Sequence, residues 1–451
     1  MKIKRIGLAV IAILLAIGIY FRLEIYPQLD LISGFAAKSV ASCHFIDGRS
    51  AAQIRAADND IPKVNWYSEQ VDDAAKKVTA DVYGLKPRTA IYRPGLGATL
   101  VEDLSQPIDQ TVPQRTQPSL ANIDFPYGDR NPIDKTINGV DYAKLQQAVD
   151  WAFDAETAKA KRSRAVLVIY KNKVIAEKYA EGYNEKSRFL GWSMTKSITA
   201  TYYGILAQQN RLRLTDRLNI PSWHNDRRHC VQLQHLLQMN SGLEWEERYD
   251  KICDATLMLF QNPKMSNAQM NKPLLYKPQT HWNYSSGTTN LLSAYLENYF
   301  TNHQDYMNFW YSGLLDRIGM YSSLVEVDPS GHFVGSSYSW ATGRDWAKFG
   351  LLYLHQGNWN GDQVFNPDWV RFVTTPTPTS DGRYGGHFWL NAGGYFPDVP
   401  RNMYYCSGFQ GQMVAVFPSD DLVVVRLGLV EVPKFDGNRF FKQILEAVHP
   451  K

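Results

Sequence analysis

The stretch GWSMTKSITATYYGIL, Gly191 to Leu206, decides how the rest of the chain is read. It holds the only S-x-x-K in the sequence, Ser193-Met194-Thr195-Lys196, at the start of a run apolar enough for a buried helix. On a helix, positions i and i+3 share a face, so the Ser193 and Lys196 side chains can touch. A serine hydroxyl is a weak nucleophile until a base takes its proton. A lysine can be that base only when neutral, and burial lowers its pKa toward that state. Helix N-terminal N–H groups beside Ser193 would favour the negative charge of a tetrahedral intermediate. The competing reading is a lysine snorkelling from a helix end beside an N-cap serine. One chance S-x-x-K is expected in a chain with this many serines and lysines, so the surrounding segments have to decide.

Working outward, a β-hairpin precedes the stretch: Ala165–Tyr170, a turn at Lys171-Asn172-Lys173, and Val174–Tyr179, with a first strand apolar enough to be central in a sheet. Upstream of it, Leu145, Ala148, Val149, Ala152 and Phe153 recur at helical spacing. The middle of the chain, Thr215 to Leu324, reads as helical or irregular. One helix there stops at Asn240-Ser241-Gly242, and others are expected near Thr288–Phe300 and Tyr306–Leu315. A further amphipathic helix starts near Thr342. A second hairpin, Gln412–Phe417 and Leu422–Leu427, and a helix over Arg439–Val448 follow. The order helix, hairpin, helical insert, hairpin, helix predicts an α/β (α+β) fold. Its core is an antiparallel sheet built from both ends of the domain and flanked by helices, with a mainly helical subdomain inserted.

The chain has 451 residues, 44% hydrophobic and 20% charged, enough for a large core. A net charge of +4 with no basic run interleaved with aromatics gives no case for a nucleic-acid partner. The N-terminus MKIKR carries three positive charges, and Ile6 to Tyr20 is apolar throughout. That pattern predicts a signal-anchor over residues 1–25, left uncleaved because no A-x-A site follows closely. Lys2, Lys4 and Arg5 would stay in the cytoplasm, placing the body on the far side of the inner membrane, periplasmic or extracytoplasmic; cleavage would make it secreted. A buried core helix is the competing reading. Residues 26–136 read as a loop-rich extension punctuated by prolines, from Pro62 through Pro107 to Pro132, with a short helix around Val71 to Val78. The remainder, 137–451, reads as one domain. Four cysteines are too few for a disulfide scaffold, although one or two bridges remain open.

Five segments, in order, resemble the serine β-lactamase and penicillin-binding-protein superfamily, in its class C-like branch of esterases, D-aminopeptidases, DD-peptidases and 6-aminohexanoate-dimer hydrolases. They are SMTK at 193–196, VQLQHLLQMNSGL at 231–243, YSS at 284–286, TGRDWAKFGLLYL at 342–354 and CSGFQGQ at 406–412. The resemblance covers the chain from about Tyr142 onward. It implies a serine hydrolase with no cofactor, acting on a small ester, amide or peptide. Ser193 would be the nucleophile, Lys196 its partner, and Tyr284 the general base of acylation and acid toward the leaving group. Ser286 stands where the family usually carries Asn, which puts substrate choice in doubt. Cys406-Ser407-Gly408 occupies the place of the family's Lys-Thr-Gly. The Phe409 N–H would be the second oxyanion donor beside the Ser193 N–H, Gly408 would let substrate lie against the backbone, and Ser407 would donate to it. Cys406 replaces a cation that in β-lactamases helps hold a carboxylate, which argues against efficient β-lactam hydrolysis. Two other readings stay open: a binding or sensor protein on this fold, acylated slowly or not at all, and a cell-wall DD-peptidase. His224, His229, Cys230 and His235 match no usual zinc spacing, so no metal is expected. Trp340 and Trp346 read as packing residues.

Overall fold

The computed structural model describes residues 2–102, 108–130, 136–154, 160–430 and 434–450, with the side chains of 2–5 excepted. The charges of the MKIKR segment, Pro107 and Pro132 therefore lie outside the described residues. The chain forms two compact units: residues 1–108 with 246–263 and 328–330, and residues 109–245 with 264–327 and 331–451.

In the first unit, α1 (Lys2–Tyr20) runs through a π-helical turn at Phe21–Ile25 into α2 (Tyr26–Asp47). Ile6–Asp47 is, among the described residues, the one helical stretch long and apolar enough to cross a membrane. Four strands follow, β1 (Tyr67–Asp72), β2 (Lys77–Val82), β3 (Leu85–Arg93) and β4 (Gly97–Val101), in an antiparallel meander of that order. Leu29 and Ile32 of α2 bury against Val82, with Ile25 and Tyr26 packed beside them. The helix Asp254–Gln261, far along the chain, joins this unit. Arg88 donates to the Phe260 carbonyl at 2.7 Å and pairs with Asp30 at 3.1 Å.

The loop-rich expectation for this region is thus corrected over residues 26–101, which hold a helix of 22 residues and a sheet. The helix expected around Val71 to Val78 is a hairpin instead, with Val71 and Val78 directly opposite each other across β1 and β2. Its turn is made by Asp72, whose carboxylate accepts the Ala75 N–H at 2.8 Å, and by Lys76 in the left-handed region at φ 52°. β-Branched residues facing each other on neighbouring strands outweighed a weak helical period.

The second unit is built on a six-stranded antiparallel sheet. Its elements are α3 (Tyr142–Trp151), β5 (Ser163–Tyr170), β6 (Lys173–Tyr179), α4 (Thr195–Gln208), α5 (Ser286–Tyr295), α6 (Gly343–Leu354), β7 (Trp389–Leu390), β8 (Tyr404–Gly408), β9 (Gln412–Phe417), β10 (Leu422–Gly428) and α7 (Gly437–Val448). The sheet order is β7-β8-β9-β10-β5-β6. Both expected hairpins form, and β10 closes on β5 with Leu422 opposite Tyr170. Because side chains alternate across a strand, Val166, Val168 and Tyr170 face α3 and α7 in one core. Leu167 and Val423 face the other way, toward α6, where Gly343 and Gly350 allow close approach; a Cβ on Gly350 would lie 2.7 Å from Val423. The region between the hairpins is mainly helical, as expected.

Candidate active site

A short three-stranded sheet carries the turn that holds Ser193. Phe189–Leu190 pairs with Ser339–Ala341, which pairs with Leu324–Val325. From its edge the chain enters a 3₁₀ turn, Trp192–Met194, and then α4, whose residues Thr195 to Leu206 are all buried. Thr195 locks this junction. Its hydroxyl donates to the Trp192 carbonyl at 2.7 Å and accepts the Ser339 N–H at 3.0 Å, while Gly191 N–H donates to Ser339 O at 2.8 Å. Trp192 sits at φ 47°, a left-handed conformation that costs a bulky residue of order 1–3 kcal/mol and that surrounding structure must hold in place. Tyr338 and Phe409 do so, with ring centroids 5.6 Å and 5.5 Å from the indole.

Ser193 is half-buried at the end of this turn, and Lys196, one helical turn on, is 1% exposed. The Lys196 Nζ lies 3.0 Å from Ser193 Oγ, 2.9 Å from Ser286 Oγ and 3.0 Å from the Ser336 carbonyl oxygen. Its ammonium position is also 4.9 Å from the centroid of the Tyr284 ring. So the structure brings Ser193, Lys196, Tyr284 and Ser286 together. Ser286 is the first residue of α5, capped by Ser285, whose hydroxyl accepts the Thr288 N–H at 2.9 Å and donates to Gln269 Oε1 at 2.7 Å. Tyr284 packs on Tyr384 and Trp389, at 5.8 Å and 5.4 Å between centroids.

The end of β8 closes the site from the sheet side. Beyond Tyr405 its outer edge has no sheet partner in β7, which pairs only with Tyr404 and Tyr405. Here Gly408 has a sequence requirement: a Cβ would lie 2.1 Å from the Gly191 carbonyl oxygen, a backbone atom that cannot swing aside. The absence of a side chain thus sets Ser407, Gly408 and Phe409 against the turn that holds Ser193. Ser407 and Phe409 are half-buried, whereas Cys406 points inward and is 1% exposed. Burial pushes its thiol up to about 12, with a smaller opposing effect of a hydrogen bond from Ser197. It is a neutral packing group, not a thiolate. All four cysteines are unbridged.

Two participants were not singled out from sequence. The segment Gly335–Ser339 lies along α4 and supplies the Ser336 carbonyl to Lys196. Gly335 permits this, because a Cβ there would lie 2.5 Å from Thr199 Oγ1. A carbonyl is common to every residue, so only the small-residue run Gly335-Ser336-Ser337 was a signal. The second is His387, 2% exposed, whose Nδ1 lies 2.6 Å from the Leu237 carbonyl and whose Nε2 lies 3.0 Å from Thr289 Oγ1. The carbonyl fixes Nδ1 as the protonated nitrogen and leaves Nε2 to accept from Thr289. Burial pushes its pKa down to about 3, against the smaller opposing effect of the hydrogen bond to the Leu237 carbonyl. His235, by contrast, caps its own helix by accepting the Gln232 N–H at 3.1 Å. Trp340 donates to Glu326 at 2.8 Å within the core.

The sequence matches the model of the Beta-lactamase family over residues 149–447. No curated protein matches the chain in sequence. Among solved structures, it is similar to a Bacillus anthracis protein named as a proposed 6-aminohexanoate-dimer hydrolase, at 19% identity over 75% of this chain and 91% of that one, with a TM-score of 0.58. It is also similar to a family VIII carboxylesterase (13% identity, 68% of this chain, 97% of that one, TM-score 0.56) and to a penicillin-binding protein homologue from Caulobacter crescentus (12%, 68%, 96%, 0.53). At these identities the likeness is one of fold.

Proposed function

The chain belongs to the beta-lactamase family, and we propose that it is an exported serine hydrolase that cleaves an ester or amide bond through an acyl-enzyme on Ser193. The observation that carries this reading is the buried Lys196 amine 3.0 Å from the Ser193 hydroxyl. A buried ammonium is costly, so burial favours the neutral amine. In that form two N–H groups serve Ser336 O and Ser286 Oγ, and the lone pair is left to accept from the Ser193 hydroxyl. Ser193 Oγ then attacks the substrate carbonyl carbon while its proton passes to the Lys196–Tyr284 pair. The Ser193 and Phe409 N–H groups hold the oxyanion, and Ser407 and Gly408 align the substrate along the edge of β8. Tyr284 returns the proton to the leaving group as the C–O or C–N bond breaks, and water hydrolyses the acyl-enzyme.

Structural neighbours on this fold include one named a carboxylesterase and one named as a proposed 6-aminohexanoate-dimer hydrolase, names in keeping with an ester or amide substrate. The neutral thiol at Cys406, where β-lactamases place a cation, supports a substrate that needs no carboxylate. The apolar N-terminal helix supports an anchor over residues 1–25 with the extension (26–136) and hydrolase domain (137–451) outside the cytoplasm; protease added to spheroplasts should then digest the body. The test of catalysis is fluorophosphonate labelling of the full chain beside Ser193→Ala, with p-nitrophenyl acetate and butyrate turnover in parallel. Labelling and turnover that vanish together in the variant are expected. A folded wild-type protein with neither would overturn catalysis in favour of the binding or sensor reading. Release of D-alanine from stem peptides would point to the DD-peptidase instead.

A further inference from the structure

The register of the N-terminal sheet gathers an unusual set of exposed residues at one end. Tyr67 at the start of β1 is opposite Val82 at the end of β2, and Val82 is opposite Leu85 at the start of β3. The residues just outside these positions, Trp66 and Tyr83, with Leu85 itself, are exposed: 42%, 76% and 38%. Val82 packs against Leu29 with Tyr26 beside it, so this end of the sheet lies against the first turn of α2. Lys86 Nζ stands 4.9 Å over the Tyr26 ring, and the Arg22 guanidinium 5.1 Å from the same ring. Lys63 donates to Gln28 at 3.4 Å, one turn along. Two aromatics, a leucine and three cations thus surround the point where the exposed apolar helix α1 meets the folded body. Glu24 is the acid on the helix there, and Asp81 is engaged within the turn, accepting from Ser68 and from the Gly84 N–H. At the opposite end Asp72 and Asp73 stand among Lys76, Lys77 and His44, with His44 bonded to Asp73 and Lys77 3.6 Å from Asp72, so charges of both signs meet there.

We propose that this end of the sheet is a membrane-interface collar that seats in the headgroup zone of an anionic phospholipid bilayer. Trp66, Tyr83 and Leu85 enter the boundary between headgroups and acyl chains, and Arg22, Lys63 and Lys86 meet lipid phosphates. Tyrosine and tryptophan favour that boundary because one end of the ring is apolar and the other polar, and cations near it are drawn to anionic lipid. Continuity argues for lipid as the occupant. Ile6 to Phe21, the uncharged run, spans about 24 Å as a helix, short of the roughly 30 Å of hydrocarbon in a bilayer. A protein whose helix barely spans has to bring the base of its body into the interface.

The collar rests on the anchor reading, and the experiment separates the two. Purified full chain is reconstituted in phosphatidylcholine–phosphatidylglycerol vesicles doped with a diazirine-bearing phosphatidylcholine, irradiated and mapped by peptide mass spectrometry. Adducts within 6–23 and also within 63–66 or 83–86 are expected. Adducts confined to 6–23 overturn the collar and leave the anchor standing, while none within 6–23 overturns the anchor. In Lys63→Glu/Lys86→Glu, the collar adducts should fall at least threefold with those of 6–23 unchanged. Equal collar adducts in both proteins overturn the role of the cations.

Discussion

Gly408 shows how one missing side chain fixes the site. The space for a methyl group there is occupied by the Gly191 carbonyl, on the same turn that presents Ser193. Gly408→Ala must push β8 away from that turn and shift the adjacent Phe409 N–H. Losing a single oxyanion donor costs about 10²–10³-fold in rate, so kcat/KM for a p-nitrophenyl ester should fall by about 10²-fold or more while the protein stays folded by circular dichroism. A variant within about threefold of wild type would remove Phe409 from the oxyanion site. At this scale the sequence was partly legible. The closeness of Ser193 and Lys196 could be read because helical spacing brings i and i+3 together, and the later segments of the chain singled this S-x-x-K out from a chance match. The Ser336 carbonyl could not, since a backbone acceptor has no sequence signature. His387 could not either, because its protonation and position depend on Leu237 and Thr289, far along the chain.

Among elements, α5 bears most directly on the proposed chemistry, because its first residue hydrogen-bonds Lys196. The Ser285 hydroxyl caps it and binds buried Gln269. Ser285→Ala removes the cap and weakens the partnership of Gln269, with an expected loss of about 2 kcal/mol in stability. Because Ser286 Oγ would lose its fixed position against Lys196, kcat should fall more than KM rises. Urea unfolding and steady-state kinetics check both; unchanged kcat at reduced stability would make the cap purely structural. Elements with strong periodicity were legible. Both hairpins of the large sheet and the two flanking helices α3 and α7 lie where alternation or 3.6-residue spacing placed them. The N-terminal meander was not, because its strands mix charged and apolar residues, KVTADV in β2 and LKPRTAIYR in β3, and are only partly buried, so their pattern emerges only when β2 and β3 stack along α2.

For the catalytic unit as a whole, the buried imidazoles set the response to acid. The His387 pKa is 6.5 in an unfolded chain and about 3 in the fold. Between those values the unfolded chain binds a proton that the folded one does not. Stability is therefore full above pH 6.5 and falls as pH drops, by about 1.4 kcal/mol per unit. Burial lowers His235 and His355 in the same direction. Glu297, held down to about 2 by hydrogen bonds from His332 and His303 against the opposing effect of burial, adds a further loss only below pH 4.5. Urea midpoints measured from pH 7 to 4.5 should decline steadily, and His387→Asn should flatten that decline by about one proton. An identical slope in the variant would mean that residue 387 is not the group responding.

The pairing of Leu422 with Tyr170 carries a consequence for biosynthesis. When the ribosome has made Ser193, Lys196 and Tyr284, the central strand β5 still has only β6 beside it, and both β10 and the β8 edge are unsynthesised. Contacts this distant along the chain form late and slowly. A nascent chain stalled just before Leu422 should therefore carry Ser193, Lys196 and Tyr284 and yet refuse a fluorophosphonate. Extension past α7 should switch labelling on. The site would then be inert by construction until β10 has joined β5.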